Sequence, residues 1–309
     1  MQKAYLNAVY ELAQTDKNVV LMTADNGTDF DKWFEREFPE RYFDMGISEC
    51  NMVSVAAGMS ACGKIPFIQT AGAFLAYRAF EFIRNDVCMQ KSNVKIIGTG
   101  SGVSISFLGP THHTTEDIGI LRTLPGLTIL SPCSAKEVTE CIYSAYQIEG
   151  PVYIRLEMNE TAEIVLPEYN FQLGKCVELH PGNDAVIFAT GSIVSVAVEA
   201  AEMLEKIGIN TKVVNVHTLK PVLENVFIDY VKDIPVVFTL EEHNVHGGLG
   251  SIILEYLHEG KYRGRIERMG LKDCFAHGYG TVSQLRKENG IDSQSVVEVI
   301  KKTLGKIIN

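Results

Sequence analysis

The chain has 309 residues, 46% hydrophobic and 21% charged, the balance of an ordinary folded protein whose length fits about two domains. Its 28 Lys and Arg stand against 38 Asp and Glu, a formal net charge of −10 with no basic run, which argues against a nucleic-acid binder. No stretch reaches the roughly 18 consecutive apolar residues of a membrane span, so no membrane role is expected.

Met1-Gln2-Lys3-Ala4-Tyr5 leads straight into a helical pattern over Ala4–Ala13, without the apolar core and cleavage site of a signal peptide. Val19–Thr23 then reads as a buried strand. Glu49–Cys62 follows as a helix, Pro66–Gln69 as a strand, Phe74–Gln90 as a long helix and Val94–Thr99 as a strand. Thr128–Leu130, Ala135–Tyr146 and Val152–Leu156 continue as strand, helix and strand. Continuous apolar strands separated by helices predict an α/β fold, a mostly parallel sheet covered on both faces. Residues 159–183 lose this periodicity, carry Glu, Asn, Pro and Gly, and are expected as a linker between domains over 1–158 and 184–309. The pattern then restarts: strand Ala185–Ala189, helix Val194–Ile207, strand Thr211–Val216, helix Val222–Lys232, strand Val236–Leu240 and helix Gly250–Glu259. This second, smaller unit is again α/β. Seven cysteines (50, 62, 88, 133, 141, 176, 274) are scattered and never form C-x-x-C. They fit neither a disulfide framework nor a structural zinc site, and suit a reducing cytoplasm.

Several segments carry groups that do chemistry. Gly46-Ile47-Ser48-Glu49 places a carboxylate at a helix start, where the helix dipole favours it and Ser48 can cap. Phe74, Tyr77 and Phe80 recur at near-helical spacing, which packs a core or builds a flat wall for an aromatic ring. In Leu108-Gly109-Pro110-Thr111-His112-His113 a rigid turn carries adjacent histidines on a loop after a strand. Their spacing is not that of metal ligands, so acid–base work or donation to a substrate oxygen is the better functional reading. Arg155 ends a strand, as a structural ion pair or as an anion receptor facing the crevice. The glycine-rich turns at Ala189–Ser192 and Glu241–Gly250 match neither phosphate-binding fingerprint and read as tight turns that pack helices on a sheet.

In this order and spacing, Gly46-Ile47-Ser48-Glu49, Phe74-Leu75-x-Tyr77-x-x-Phe80, Gly109-Pro110-Thr111-His112, Pro151-x-Tyr153-x-Arg155 and Glu241-Glu242-His243-Asn244-x-x-Gly247-Gly248-Leu249-Gly250 resemble the transketolase family. The resemblance covers the C-terminal half of a full-length transketolase: a pyrimidine-binding domain followed by the transketolase C-terminal domain. Gly-Asp-Gly, which opens the family's diphosphate-binding segment, occurs nowhere in the chain. The resemblance therefore implies the second subunit of a split transketolase. Its partner, an N-terminal subunit in an expected α2β2 assembly, would bring the diphosphate site of thiamine diphosphate and most of the ligands of its Mg2+ or Ca2+. The resemblance also assigns roles. Glu49 would hydrogen-bond the cofactor's aminopyrimidine, Phe74, Tyr77 and Phe80 would hold that ring, His112 would contact the reacting oxygens of a sugar, and Arg155 would bind a substrate phosphate. The implied activity is transfer of a two-carbon ketol unit from a ketose, phosphorylated or otherwise modified, to an aldose acceptor.

Three positions depart from the family. Leu108 stands where an Asp usually precedes Gly-Pro-Thr-His, Gly100 where a further substrate histidine is expected, and Gln2 where a phosphate-binding Arg aligns. They point away from ordinary xylulose 5-phosphate as donor, since a site built for a hydroxyl discriminates by orders of magnitude. Deoxyxylulose-phosphate synthase and the β subunits of 2-oxo-acid dehydrogenases share the architecture and are alternative readings. A degenerate homologue that binds without turnover is another.

Overall fold

The computed structural model describes residues 1–25, 31–158, 167–276 and 278–308. The first unit is built on β1 (Val19–Thr23), β2 (Tyr42–Asp44), β3 (Ile65–Ala71), β4 (Lys95–Thr99), β5 (Thr128–Leu130) and β6 (Val152–Leu156). The second is built on β7 (Val177–His180), β8 (Ala185–Ala189), β9 (Thr211–Asn215), β11 (Val236–Asn244) and β12 (Arg265–Leu271), while β10 (Thr218–Lys220) crosses back to the first. The first sheet has the order β10-β5-β6-β4-β3-β1-β2, parallel except for β10, which pairs antiparallel with β5. The second runs β12-β11-β8-β9-β7, parallel except for β7 against β9.

The strands that the sequence marks most clearly are buried along their whole length: β1, β4, β5, β6 and β8 have no position open to solvent. Strands covered on both faces need no polar alternation, so Val, Ile and Leu run on. The helices Gln2–Thr15 and Ala135–Gln147 pack together on one face, where Tyr5, Phe67, Ile97 and Ile154 share a core. Ser134 caps the second of these by accepting from the Glu137 amide at 3.1 Å. On the other face, one apolar cluster runs from Met52, Ile68 and Tyr153 into Phe188, Phe227 and Ile253 of the second unit. Buried Glu137 adds a polar tie, accepting from Asn215 Nδ2 at 2.7 Å. The two units therefore share a core.

Three sequence expectations change. The segment 159–183 is not a linker throughout: residues 159–166 lie outside the described residues, but Val177–His180 is already a strand of the second sheet. Pro181-Gly182-Asn183-Asp184 is thus a turn inside the second domain. The expected helix Val222–Lys232 is irregular, with one short 3-10 turn over Ile228–Tyr230, because Asn225 takes φ +64° and breaks the right-handed path. The expected helix over 74–90 is wound in wide π-type turns at Phe74–Arg78 and Ile83–Cys88, with a short α segment at Phe80–Phe82 between them. Extra residues per turn break the 3.6 period on which the aromatic stripe was read. Beyond the expected elements, β2, β10, β12 and the helices Asp31–Glu37, Asp117–Leu121, Val282–Glu288 and Ser293–Ile308 are also present.

Candidate functional site

Strands β4, β3 and β1 lie side by side, and their carboxyl ends open onto one cavity of about 410 Å³. Ala24 and Asp25 follow β1, Thr70 and Ala71 end β3, and Thr99 ends β4; all line the cavity. This is where parallel α/β sheets bind ligands, and the volume lies within the usual range for small-molecule sites. The loop after β2 and the helix Glu49–Ala61 supply Ile47 and Glu49, the π-type turn supplies Phe74 and Arg78, and the Gly-Pro-Thr-His loop supplies Leu108 and His112.

Glu49 opens its helix and is 2% exposed. Ser48 occupies the cap position, but its hydroxyl donates backwards to the Met45 carbonyl at 2.6 Å instead of capping the helix. Glu49 Oε2 accepts from Arg78 Nη1 at 2.7 Å. The Arg78 guanidinium also lies over the Phe74 ring, 4.7 Å from its centroid. On Phe74 the His112 imidazole packs edge-on at 5.1 Å, its Nδ1 2.9 Å from Thr111 Oγ1. Carboxylate, aromatic face and imidazole are contiguous. The helix pattern and the loop motif marked these three groups; Ile47, two residues before Glu49, stands at the mouth, 73% exposed.

The other aromatics of the stripe diverge. Tyr77 turns its hydroxyl to the loop behind His112, accepting from the Thr115 and Glu116 amides at 2.9 and 3.0 Å and donating to Glu116 Oε2 at 2.6 Å. Enclosure of that hydroxyl, then the Asp117 and Glu116 carboxylates, hold the phenol well above its ordinary range. Tyr77 thus fastens the loop that carries His112. Phe80 packs against the core shared by the two units. Neither lines the cavity.

The departures from the family pattern also have a structural form. Gly100 takes φ +78°, and a Cβ there would come within 2.3 Å of Ile105 Cδ1, so Ile105 fills the space a larger residue would need. Leu108, Phe107 and Met158 join Ile47 around the mouth, all in part exposed. Sequence reading had singled out Leu108 but not Phe107, Met158 or Arg78. Arg78 carries a signal in retrospect, one residue beyond Tyr77 and four beyond Phe74.

Arg155 lies elsewhere, in a junction between the two units. It is 2% exposed; Nε donates to both Asp117 carboxylate oxygens at 3.2 and 3.0 Å, and Nη2 donates to the Thr114 and Glu242 carbonyls at 2.9 and 2.8 Å. Tyr153 donates to the same Asp117 at 2.8 Å. Of its two sequence readings this geometry is the ion pair, not a receptor open to the crevice. His113, neighbour of His112, turns into the same junction, where burial pushes its pKa down. Glu157 and Glu242 are also buried there, and Arg286 Nε donates to Glu242 Oε1 at 2.5 Å. Burial, then the charge of Glu242, pushes Glu157 up to about 7. The glycine-rich turn at 241–250 is structural in form: Glu241 accepts from the Leu249 and Gly250 amides at 2.6 and 2.9 Å and caps the helix Leu249–Glu259. Among the described residues no group of three His, Cys, Asp or Glu is placed to hold a metal, and no helix is long and apolar enough to cross a membrane.

A buried carboxylate at a helix start beside an aromatic ring lies at the carboxyl ends of a parallel sheet, and the comparisons with known proteins name the family to which this fold belongs. Residues 1–162 match the transketolase pyrimidine-binding domain and residues 174–296 the transketolase C-terminal domain, so the chain belongs to the transketolase family, as a transferase subunit of the two-chain kind. It is 37% identical over 266 residues to one subunit of the apulose-4-phosphate transketolase of Actinobacillus succinogenes, covering 86% of each chain. It is 35% identical to the 6-deoxy-6-sulfo-D-fructose transketolase subunit SqwH of Clostridium sp., covering 96% of this chain and 92% of that one. Among solved structures it matches a split-gene transketolase, described as an inactive β4 tetramer, with TM-score 0.89 and 38% identity over 98% of both chains. Single-chain relatives are about twice as long: the chain spans 48% of the 1-deoxy-D-xylulose-5-phosphate synthase of Methylacidiphilum infernorum, at 34% identity. The transketolase of Leishmania mexicana shares the fold, with TM-score 0.79 over 45% of its length.

Proposed function

We propose that this chain is the pyrimidine-binding subunit of a thiamine diphosphate-dependent ketol transferase and works only with an N-terminal partner subunit. The partner would carry the diphosphate site and its Mg2+ or Ca2+, in an α2β2 assembly. One observation carries the reading: Glu49, Phe74 and His112, remote in sequence, meet in one cavity of about 410 Å³. This donor set fits an aminopyrimidine, whose ring has a face for Phe74 to stack on and a nitrogen for Glu49 to hydrogen-bond. When bound, thiamine diphosphate supplies the electron sink for breaking the carbon–carbon bond beside a ketose carbonyl. Glu49 holds the pyrimidine nitrogen and shares its proton. His112, packed on Phe74, donates to the reacting oxygen of the sugar and stabilises charge developing there. Tyr77 keeps the His112 loop in place, and Phe80 supports the wall from behind. Arg155 acts through the junction that holds this loop, not on a phosphate.

The apolar mouth formed by Ile47, Phe107, Leu108 and Met158, with Ile105 filling the space beside Gly100, suits a modified or non-phosphorylated ketose better than xylulose 5-phosphate. The deoxyxylulose-phosphate-synthase-like reading keeps one observation in its favour, 34% identity across 98% of this chain. The test is a co-expressed complex assayed for ketol transfer and for carbon dioxide release from pyruvate. Transfer without carbon dioxide is expected. Glu49→Gln should lower it roughly 10²–10⁴-fold while the complex stays assembled. Near-full turnover in that variant would remove Glu49 from the mechanism.

A further inference from the structure

Arg78 is tied to both groups assigned to the pyrimidine subsite. Its Nη1 donates to Glu49 Oε2 at 2.7 Å, and its guanidinium carbon lies 4.7 Å from the centroid of Phe74. A guanidinium is planar, presents N–H groups along its edge and stacks on aromatic faces. An aminopyrimidine shares those three properties. Both would use the same carboxylate and the same ring, and a cavity of about 410 Å³ does not offer a second set.

We infer that Arg78 is a placeholder: in the free chain its guanidinium stands in for the aminopyrimidine, and cofactor uptake exchanges one for the other. The inference rests on the proposed assignment of Glu49 and Phe74 to the pyrimidine subsite. Its logic comes from the burial of the two partners. Glu49 is 2% exposed, and a carboxylate so enclosed is costly to leave without a donor. Arg78 is 48% exposed, so its guanidinium can swing into water, where it is well solvated. The carboxylate thus has a donor before and after uptake, and the mobile partner is the arginine. The exchange has an affinity consequence. When the competent form is a fraction of the population, the apparent dissociation constant is the intrinsic one divided by that fraction. A placeholder seated about nine-tenths of the time weakens cofactor binding about tenfold.

The experiment is calorimetric titration of thiamine diphosphate into the complex with the partner subunit, comparing wild type, Arg78→Ala, Arg78→Gln and Glu49→Gln. Arg78→Ala should bind the cofactor about tenfold more tightly than wild type, and Arg78→Gln should fall between them. Glu49→Gln should bind more weakly. Raising NaCl from about 0.05 to about 0.5 M screens the Arg78–Glu49 pair, so the ratio of wild-type to Arg78→Ala dissociation constants should narrow. Equal or weaker binding by Arg78→Ala overturns the placeholder and leaves the subsite assignment standing. Unchanged binding by Glu49→Gln, or no uptake by the wild-type complex, overturns that assignment and the inference with it.

Discussion

Glu49–Arg78 and Asp117–Arg155 are the same chemical pair in two settings. In the first the arginine is half exposed and makes one carboxylate bond beside a cavity. In the second both partners are sealed, and the arginine bonds a carboxylate and two carbonyls from different parts of the chain. An arginine with free solvent on one side can be displaced by a ligand. One enclosed on every side holds the fold. The difference lies in the surroundings of the guanidinium, not in the residue types, and the two arginines should differ widely in what their substitution costs.

The sharpest way to break this contrast is Arg155→Met. It removes the buried cation from Asp117, which keeps only Tyr153 as a side-chain donor, and takes one donor from each of two carbonyls; it should cost about 3–5 kcal/mol in urea unfolding. A loss below about 1 kcal/mol would show that the junction is not sealed as described.

A second, smaller effect concerns Glu157 in the same junction. Its folded pKa of about 7 lies above the unfolded value near 4.5, so the folded state holds the extra proton. Its penalty is therefore absent at low pH and develops as pH rises from about 4.5 through about 7. Glu157→Gln should flatten the stability curve across this window and gain up to about 3 kcal/mol over wild type at pH 8. Parallel curves for the two proteins between pH 5 and pH 8 would place the titration elsewhere.

The smallest effect should come from Arg78→Ala, which removes a pair with a half-exposed partner. The expected loss is about 1–2 kcal/mol in the same unfolding assay, because the enclosed Glu49 carboxylate loses this donor although Arg78 itself is half exposed. A loss as large as that of Arg155→Met would erase the distinction between the two pairs.

How far the sequence could be read follows from the same physics. The fully buried strands β1, β5, β6 and β8 stood out with their ends because a strand covered on both faces is a run of mostly apolar residues. The edge strand β2 is three residues long and half exposed, so it leaves no pattern to find. The π-type turns at Phe74–Arg78 misled a reading built on 3.6 residues per turn: the stripe splits, and only Phe74 faces the cavity. At the site, Glu49 and His112 were legible from the helix start and the Gly-Pro turn. Arg78 was not, because an arginine on a helix usually reads as solvated surface. For Arg155 the sequence left ion pair and anion receptor open, since burial and the Thr114 and Glu242 carbonyls are facts of tertiary structure.

The antiparallel strand Thr218–Lys220 bears on how the chain is made. The edge of β5 has no partner until some ninety residues further have been synthesised, roughly ten seconds at translation rates of about 5–20 residues per second. During that interval an unpaired strand edge of the nascent first domain is open to water and to chaperones. A chain cut after the first domain would keep that edge open permanently, and with it the apolar face meant for Phe188 and Phe227.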